Sequence, residues 1–286
     1  MAQTRMVTLA DGRELAYDEY GDRDGTPVLS FHGAPSSRLD AAPAHGAALS
    51  MGVRLISPDR PGMGRSTYQP GRRLLDWPDD VAELADTLGI GRFAVMGWSC
   101  GGPYAAACAA RLGDRVTAAA LLGSAVPLDL YGTTKGLLSD DRILLYLVRR
   151  APRVASALLR VTIADASEAR LLGEMRHSLT GPDRAALAES GSPHQAVGFL
   201  KEAMRQGTRG CLQDYRIFGD PWGFELEEIT VPVQLWEGDG DHTGPPDYRD
   251  FLMRHIRHAS LTVVPGEGHL SLLPHQAPAI FKELLG

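Results

Sequence analysis

The run Gly97-Trp98-Ser99-Cys100-Gly101 sets a serine between two glycines in a G-x-S-x-G spacing. A serine hydroxyl is a weak nucleophile at neutral pH. It gains power when a histidine within hydrogen-bond reach takes its proton and a carboxylate holds the other imidazole nitrogen. The chain has nine histidines to offer. His269 stands out because it follows an apolar run over 261–264 through the loop Pro265-Gly266-Glu267-Gly268, which puts it at the carboxyl edge of a sheet, where such sites form. His45, His177, His194, His255, His258 and His275 read as solvated helix or loop residues, and His242 is assigned no role. Glu237-Gly238-Asp239-Gly240-Asp241 holds three candidate carboxylates. Asp241 is preferred, since Gly238 permits a turn after the strand and Pro245 suits the start of a helix, leaving Asp241 in the loop between them. Asp239 is its rival, and Glu237 sits too near the strand end.

These groups need elements to position them. An apolar strand over 93–96 runs into the serine, and a helix over 103–112 follows it, with Pro103 suited to the first turn. Gly97 and Gly101 flank a turn so tight that larger side chains would collide where strand and helix cross. The helix amino terminus then points its partial positive charge to where an oxyanion would form. One donor to that oxyanion is the Cys100 amide, while the Cys100 side chain packs instead of acting as a thiol nucleophile. The second is the Ala34 amide, in the loop His32-Gly33-Ala34-Pro35 after an earlier strand, where His32 shapes the loop and is not a second base.

Beyond the site, Asp11-Gly12 joins two strands into an opening hairpin. Apolar runs over 27–31, 53–56, 93–96 and 116–122 alternate with helical patterns such as 77–88, which is the rhythm of an α/β fold with a parallel sheet and crossover helices. From 125 to 228 the text becomes helix-like, with blocks over 143–148, 154–161, 167–175 and 184–189. Strands resume at 231–236 and 261–264, and a last helix is expected over 278–285. The expected organisation is therefore a core of 1–124 and 229–286 interrupted by a helical cap of 125–228.

Composition narrows the class. Hydrophobic residues are 44% and charged residues 22%, ordinary for a soluble globular chain. A formal net charge of −6, with no basic stripe interleaved with aromatics, argues against nucleic acid as a partner. Three cysteines without metal-ligand spacing read as reduced thiols, and 1–12 lacks the apolar core of a signal peptide, so a cytoplasmic protein that does not enter membranes is expected. No metal or organic cofactor is called for.

Taken together, His32-Gly33-Ala34, the run 59–66 (Asp-Arg-Pro-Gly-Met-Gly-Arg-Ser), the elbow 97–101, the spacing of Gly238, Asp241 and Pro245, and Gly268-His269 resemble the α/β-hydrolase superfamily, and within it the esterase-like members with a helical cap. The order serine, acid, histidine is also theirs. The resemblance implies a mostly parallel eight-stranded sheet with helices on both faces, a cap inserted after the sixth strand, and a Ser99-Asp241-His269 triad. It implies cleavage of an ester, lactone or thioester through an acyl-enzyme. Acyl transfer, peptide cleavage, cofactor-free perhydrolysis and carbon-carbon bond hydrolysis use the same residues and stay open, as does a non-enzymatic ligand-binding member of the fold. One departure is Pro61, which stands where many members carry Arg before the glycine. Apolar cap residues, among them Leu138, Leu144, Tyr146, Leu171, Met175 and Phe199, either pack the cap onto the core or line a cavity for a small hydrophobic substrate.

Overall fold

The computed structural model describes residues 3–132, 134–189 and 193–286. The opening hairpin pairs β1 (Arg5–Thr8) with β2 (Glu14–Gly21), and six further strands follow: β3 (Thr26–Phe31), β4 (Val53–Pro58), β5 (Phe93–Trp98), β6 (Val116–Leu122), β7 (Val233–Gly238) and β8 (Ala259–Val264). They form one sheet in the order β1-β2-β4-β3-β5-β6-β7-β8. The pairings of β1 with β2 and β2 with β4 are antiparallel, and the rest are parallel. Strands β3, β5, β6, β7 and β8 are therefore neighbours, and the loops leaving their carboxyl ends share one edge of the sheet.

Alternation along each strand feeds two apolar layers. Leu29, Phe31, Phe93, Val95 and Leu121 face one of them, and Val28, Ala94, Met96, Ala120 and Leu122 the other. Helices α2 (Trp77–Thr87) and α3 (Gly102–Arg111) cover the first face, with α11 (Asp247–His255) beyond them. The second face is covered by α1 (His45–Ser50) and α12 (Leu272–Leu285). The last helix begins six residues before the expected 278, and Pro278 lies inside it. Burial of Leu272, Leu273, Ala277, Ile280, Phe281 and Leu284 against the sheet outweighs the hydrogen bond that Pro278 cannot donate.

Between β6 and β7 the described residues form helices and no strand: α4 (Leu128–Tyr131), α5 (Ser139–Arg150), α6 (Pro152–Leu159), α7 (Glu168–Ser178), α8 (Gly181–Glu189), α9 (Pro193–Ala203) and α10 (Arg209–Gly219). Leu144, Leu145, Val148 and Leu159 from this segment join the first apolar layer, while Leu171 packs with Ala166, Val197 and Met175 in a separate small cluster. Leu138 and Tyr146 are exposed. Among the described residues no helix is long and apolar enough to cross a membrane.

Helix α10 is tied to the core by charge as well. Its Asp214 is buried and accepts hydrogen bonds from Arg60 Nε at 2.9 Å and Arg60 Nη2 at 2.6 Å, with Arg72 and the Tyr104 hydroxyl on its other oxygen. Burial alone would raise the carboxyl, but Arg60 and Arg72 hold it well below the usual carboxylate range. Replacing Asp214 with Ala leaves two buried guanidinium groups without their counter-charge, a change that costs about 3–5 kcal/mol. Urea unfolding of Asp214→Ala should show an unfolding free energy lowered by that amount, and a loss below about 1 kcal/mol would mean that the pair does not hold α10 to the core.

Candidate active site

Ser99 follows the last residue of β5 and is the only non-glycine residue with positive φ among the described residues, at 56°. The left-handed backbone costs on the order of 1–3 kcal/mol for a residue with a side chain, and such strain persists only where the surroundings impose it. Here they do. A Cβ at Gly97 would run into the Gly101 carbonyl, and one at Gly101 into the Phe31 carbonyl, so strand, turn and helix can close this far only with glycine at both places. A single turn over Ser99–Gly101 leads into α3, with Pro103 at its start.

His269 and Asp241 meet at the neighbouring strand ends. His269 Nδ1 lies 2.6 Å from Asp241 Oδ2. The other oxygen of Asp241 accepts from the Thr243 amide at 2.8 Å and the Thr243 hydroxyl at 2.7 Å. Burial pushes the Asp241 carboxyl up, but the charge of His269 and these donors outweigh it and hold the group at about 2. For His269 burial works against the charged imidazolium, yet Asp241 beside it, with Asp183 and Glu237 farther off, raises its pKa above the ordinary value. With Nδ1–H directed to Asp241, Nε2 is the nitrogen left to accept a proton. Trp98, next to Ser99, connects the two halves: its Nε1 donates to the His269 carbonyl at 3.0 Å and its ring lies 5.0 Å from the imidazole. The backbone of Gly123, at the end of β6, runs beneath the His269–Asp241 pair.

Asp239, the rival acid, is exposed and accepts instead from the Gly266 amide at 2.7 Å. Glu237 stands at the end of β7, where burial and the charge of Asp241 push its carboxyl up to about 8. His177, His194, His242 and His258 are exposed.

The loop after β3 is pinned on three sides. His32 Nδ1 donates to the Gly33 carbonyl at 2.8 Å, and its Nε2 accepts from the Arg60 amide at 3.1 Å. Burial, then the Arg60 charge, keep this imidazole neutral, as that pairing requires. Arg60 Nη2 donates to the Gly33 carbonyl at 2.8 Å and its Nη1 to the His32 carbonyl. Asp40 accepts from the Gly33 amide at 3.0 Å and from the Ser36 hydroxyl at 2.9 Å, and burial raises it to about 7 despite both. The next amide, Ala34 N–H, has no partner among the described residues. Gly33 itself lies against Trp98 and the Cβ of Ser99. Cys100 sits beside Ser99 with its thiol pushed up by burial to about 12, which leaves it protonated and unreactive at neutral pH.

Beside Trp98 a cavity of about 70 Å³ opens between α8, α9 and the core, lined by Leu39, Leu187, Phe199, Leu270 and Leu273. Of the apolar residues picked out in the helical segment, Phe199 alone lines it, its ring 6.3 Å from that of Trp98. No group of three or more His, Cys, Asp or Glu side chains is gathered to hold a metal ion among the described residues.

Residues 26–276 match the family model described as alpha/beta hydrolase fold. The chain belongs to that family. A bifunctional esterase/perhydrolase from Acinetobacter calcoaceticus is 36% identical over 122 residues, 42% of this chain and 44% of that protein. The match thus spans less than half of that relative. An uncharacterized hydrolase from Bacillus subtilis (strain 168) is 32% identical over 281 residues, 96% of this chain and 95% of that one. The solved structure of an esterase from Exiguobacterium antarcticum superposes with a TM-score of 0.75 at 20% identity, covering 99% of this chain and 100% of that one. This α/β-hydrolase therefore shares its fold with esterases.

Within this α/β-hydrolase, sequence reasoning passed over Arg60, Asp214, Asp40, Thr243 and Asp183. Arg60 gives no local signal, since its partners His32 and Asp214 lie far from it along the chain. Asp214 gives none, since it reads as one more charge on a helix. The pairing of His269 with Asp241 can be tested without substrate. An NMR titration should place the His269 imidazole above about 6.5, and Asp241→Asn should lower it, because the carboxylate favours the charged form. A wild-type value at or below 6.5 would overturn the pairing.

Proposed function

We propose that the protein hydrolyses carboxylic esters, lactones or thioesters with Ser99 as nucleophile, His269 as base and Asp241 as the residue that orients and charges the base. The observation that carries this reading is the 2.6 Å contact of His269 Nδ1 with Asp241, set beside a serine on a strained turn. Ser99 Oγ attacks the acyl carbon while His269 Nε2 takes its proton, and the carbonyl oxygen becomes an oxyanion facing the amides of Ala34 and Cys100. Collapse expels the alcohol or thiol, which takes the proton from Nε2. A water then repeats the cycle on the acyl-enzyme and frees the acid. No step calls on a cofactor.

Residues 125–228 are read as a cap over this site. The small apolar cavity between Trp98 and Phe199 supports a small-molecule substrate with a short hydrophobic group. Three free thiols, Cys100, Cys108 and Cys211, support a reducing compartment and hence the cytoplasm. The relative named a bifunctional esterase/perhydrolase supports a second reading, in which hydrogen peroxide replaces water in the second half of the cycle.

A panel of esters, lactones, thioesters, peptides and diketones, with and without peroxide, tests the reaction, and a fluorophosphonate probe tests the nucleophile. Ser99→Ala should abolish turnover and labelling while unfolding at the wild-type temperature. Turnover by the variant would remove Ser99 from the mechanism. Asp241→Asn should lose on the order of 10⁴-fold in kcat, and Asp239→Asn should stay near wild type. The reverse order would give the acid role to Asp239.

A further inference from the structure

The loop that carries His269 is held from above by the cap. Asp183, in the first turn of α8, is 2% exposed. Its Oδ2 accepts from the His269 amide at 3.1 Å, and its Oδ1 accepts from the amides of Leu270 at 2.8 Å and Ser271 at 3.1 Å. These donors form the turn that leads into α12, whose N-cap residue is Ser271. The Ser271 side chain makes no capping bond to α12, and its hydroxyl accepts from Gly268 N–H at 2.7 Å instead. A Cβ at Gly268 would run into the Asp183 carboxylate, so this close seat requires glycine there. Pro182 lies against Gly240 in the loop that carries Asp241. One turn of α8 thus touches both the acid loop and the base loop.

We propose that Asp183 is a positioning residue for the base, a carboxylate of the cap that fixes the backbone of His269 and so couples the seating of the cap to the geometry of proton transfer. This rests on reading His269 as the base. A carboxylate bonded to three successive amides holds their peptide planes from one point, and the imidazole leaves the chain at the first of them. Displacing α8 removes that point and lets the ring swing from Asp241 and Ser99. The carboxyl groups around the ring are Asp241 and Glu237 from the end of β7, Asp141 from α5 and Asp183 from α8. As an anion, Asp183 also favours the imidazolium formed when Ser99 gives up its proton.

Asp183→Asn keeps the shape and the two bonds to Oδ1 but sets an amino group against the His269 N–H, and Asp183→Ala removes all three bonds. Both should lower kcat on the order of 10- to 100-fold with little change in KM. The acid limb of kcat/KM should move to lower pH, since a charge that favours the imidazolium is gone. Without substrate, the downfield His269 Nδ1–H resonance should shift or broaden through exchange with water. If Asp183→Ala fails to fold, Asp183→Asn carries the test. A variant with normal kcat, pH limb and resonance but a lower unfolding temperature would overturn the proposal and leave Asp183 a fastener of the cap. Because the resonance needs no substrate, a wild type inactive across the panel would sink the hydrolase reading alone, while an active wild type with an unchanged resonance in Asp183→Asn would sink this one alone.

Discussion

The backbone at Ser99 cannot relax to an ordinary conformation without separating β5 from α3. Three carbon chains meet within that turn: the end of β5, the start of the helix, and the Phe31 carbonyl at the end of β3. The absence of side chains at Gly97 and Gly101 lets them come so close, and the closeness fixes everything that has to face the serine. It brings Gly33 against the Ser99 Cβ and places Trp98 where it can hold the His269 carbonyl. A strained turn at one point therefore sets the mutual distances of groups from β3, β5 and β8.

Around this turn, buried carboxyl groups reach opposite protonation states through their partners alone. Asp241, with a charged neighbour and two donors from Thr243, sits at about 2. Glu237, at the end of the strand before it, sits at about 8, with burial and the Asp241 charge both opposing its ionisation. Near neutral pH Asp241 thus faces the imidazole as an anion while Glu237 stays mostly protonated close by. Ionisation of Glu237 above neutrality would add a second negative charge and favour the imidazolium further.

Much of this was legible in the text of the chain because it depends on local rules. The apolar runs over 27–31, 93–96 and 116–122 alternate or stay apolar as strands buried on both faces must, and β6 spans 116–122 as read. Gly97 to Gly101 announces its turn by residue size. Helix α10 escaped because it buries Gln213 and Asp214, so its inward face does not look apolar. The start of α12 escaped because Pro278 resembles a first-turn residue, whereas sheet packing extends the helix before it. The roles of Arg60 and Asp183 rest on contacts with residues 154 and 86 positions away, and no local pattern carries such information.

Asp214 and Asp183 both belong to helices between β6 and β7, yet each completes something in the core: one neutralises the arginine that braces the loop of Gly33, and the other holds the amides of His269, Leu270 and Ser271 ahead of α12. The inserted segment is therefore not an exchangeable cassette. A chimera that grafts a relative's insertion onto this sheet would inherit a buried, unneutralised Arg60 and an untethered turn at His269 unless the graft supplied carboxylates at both places.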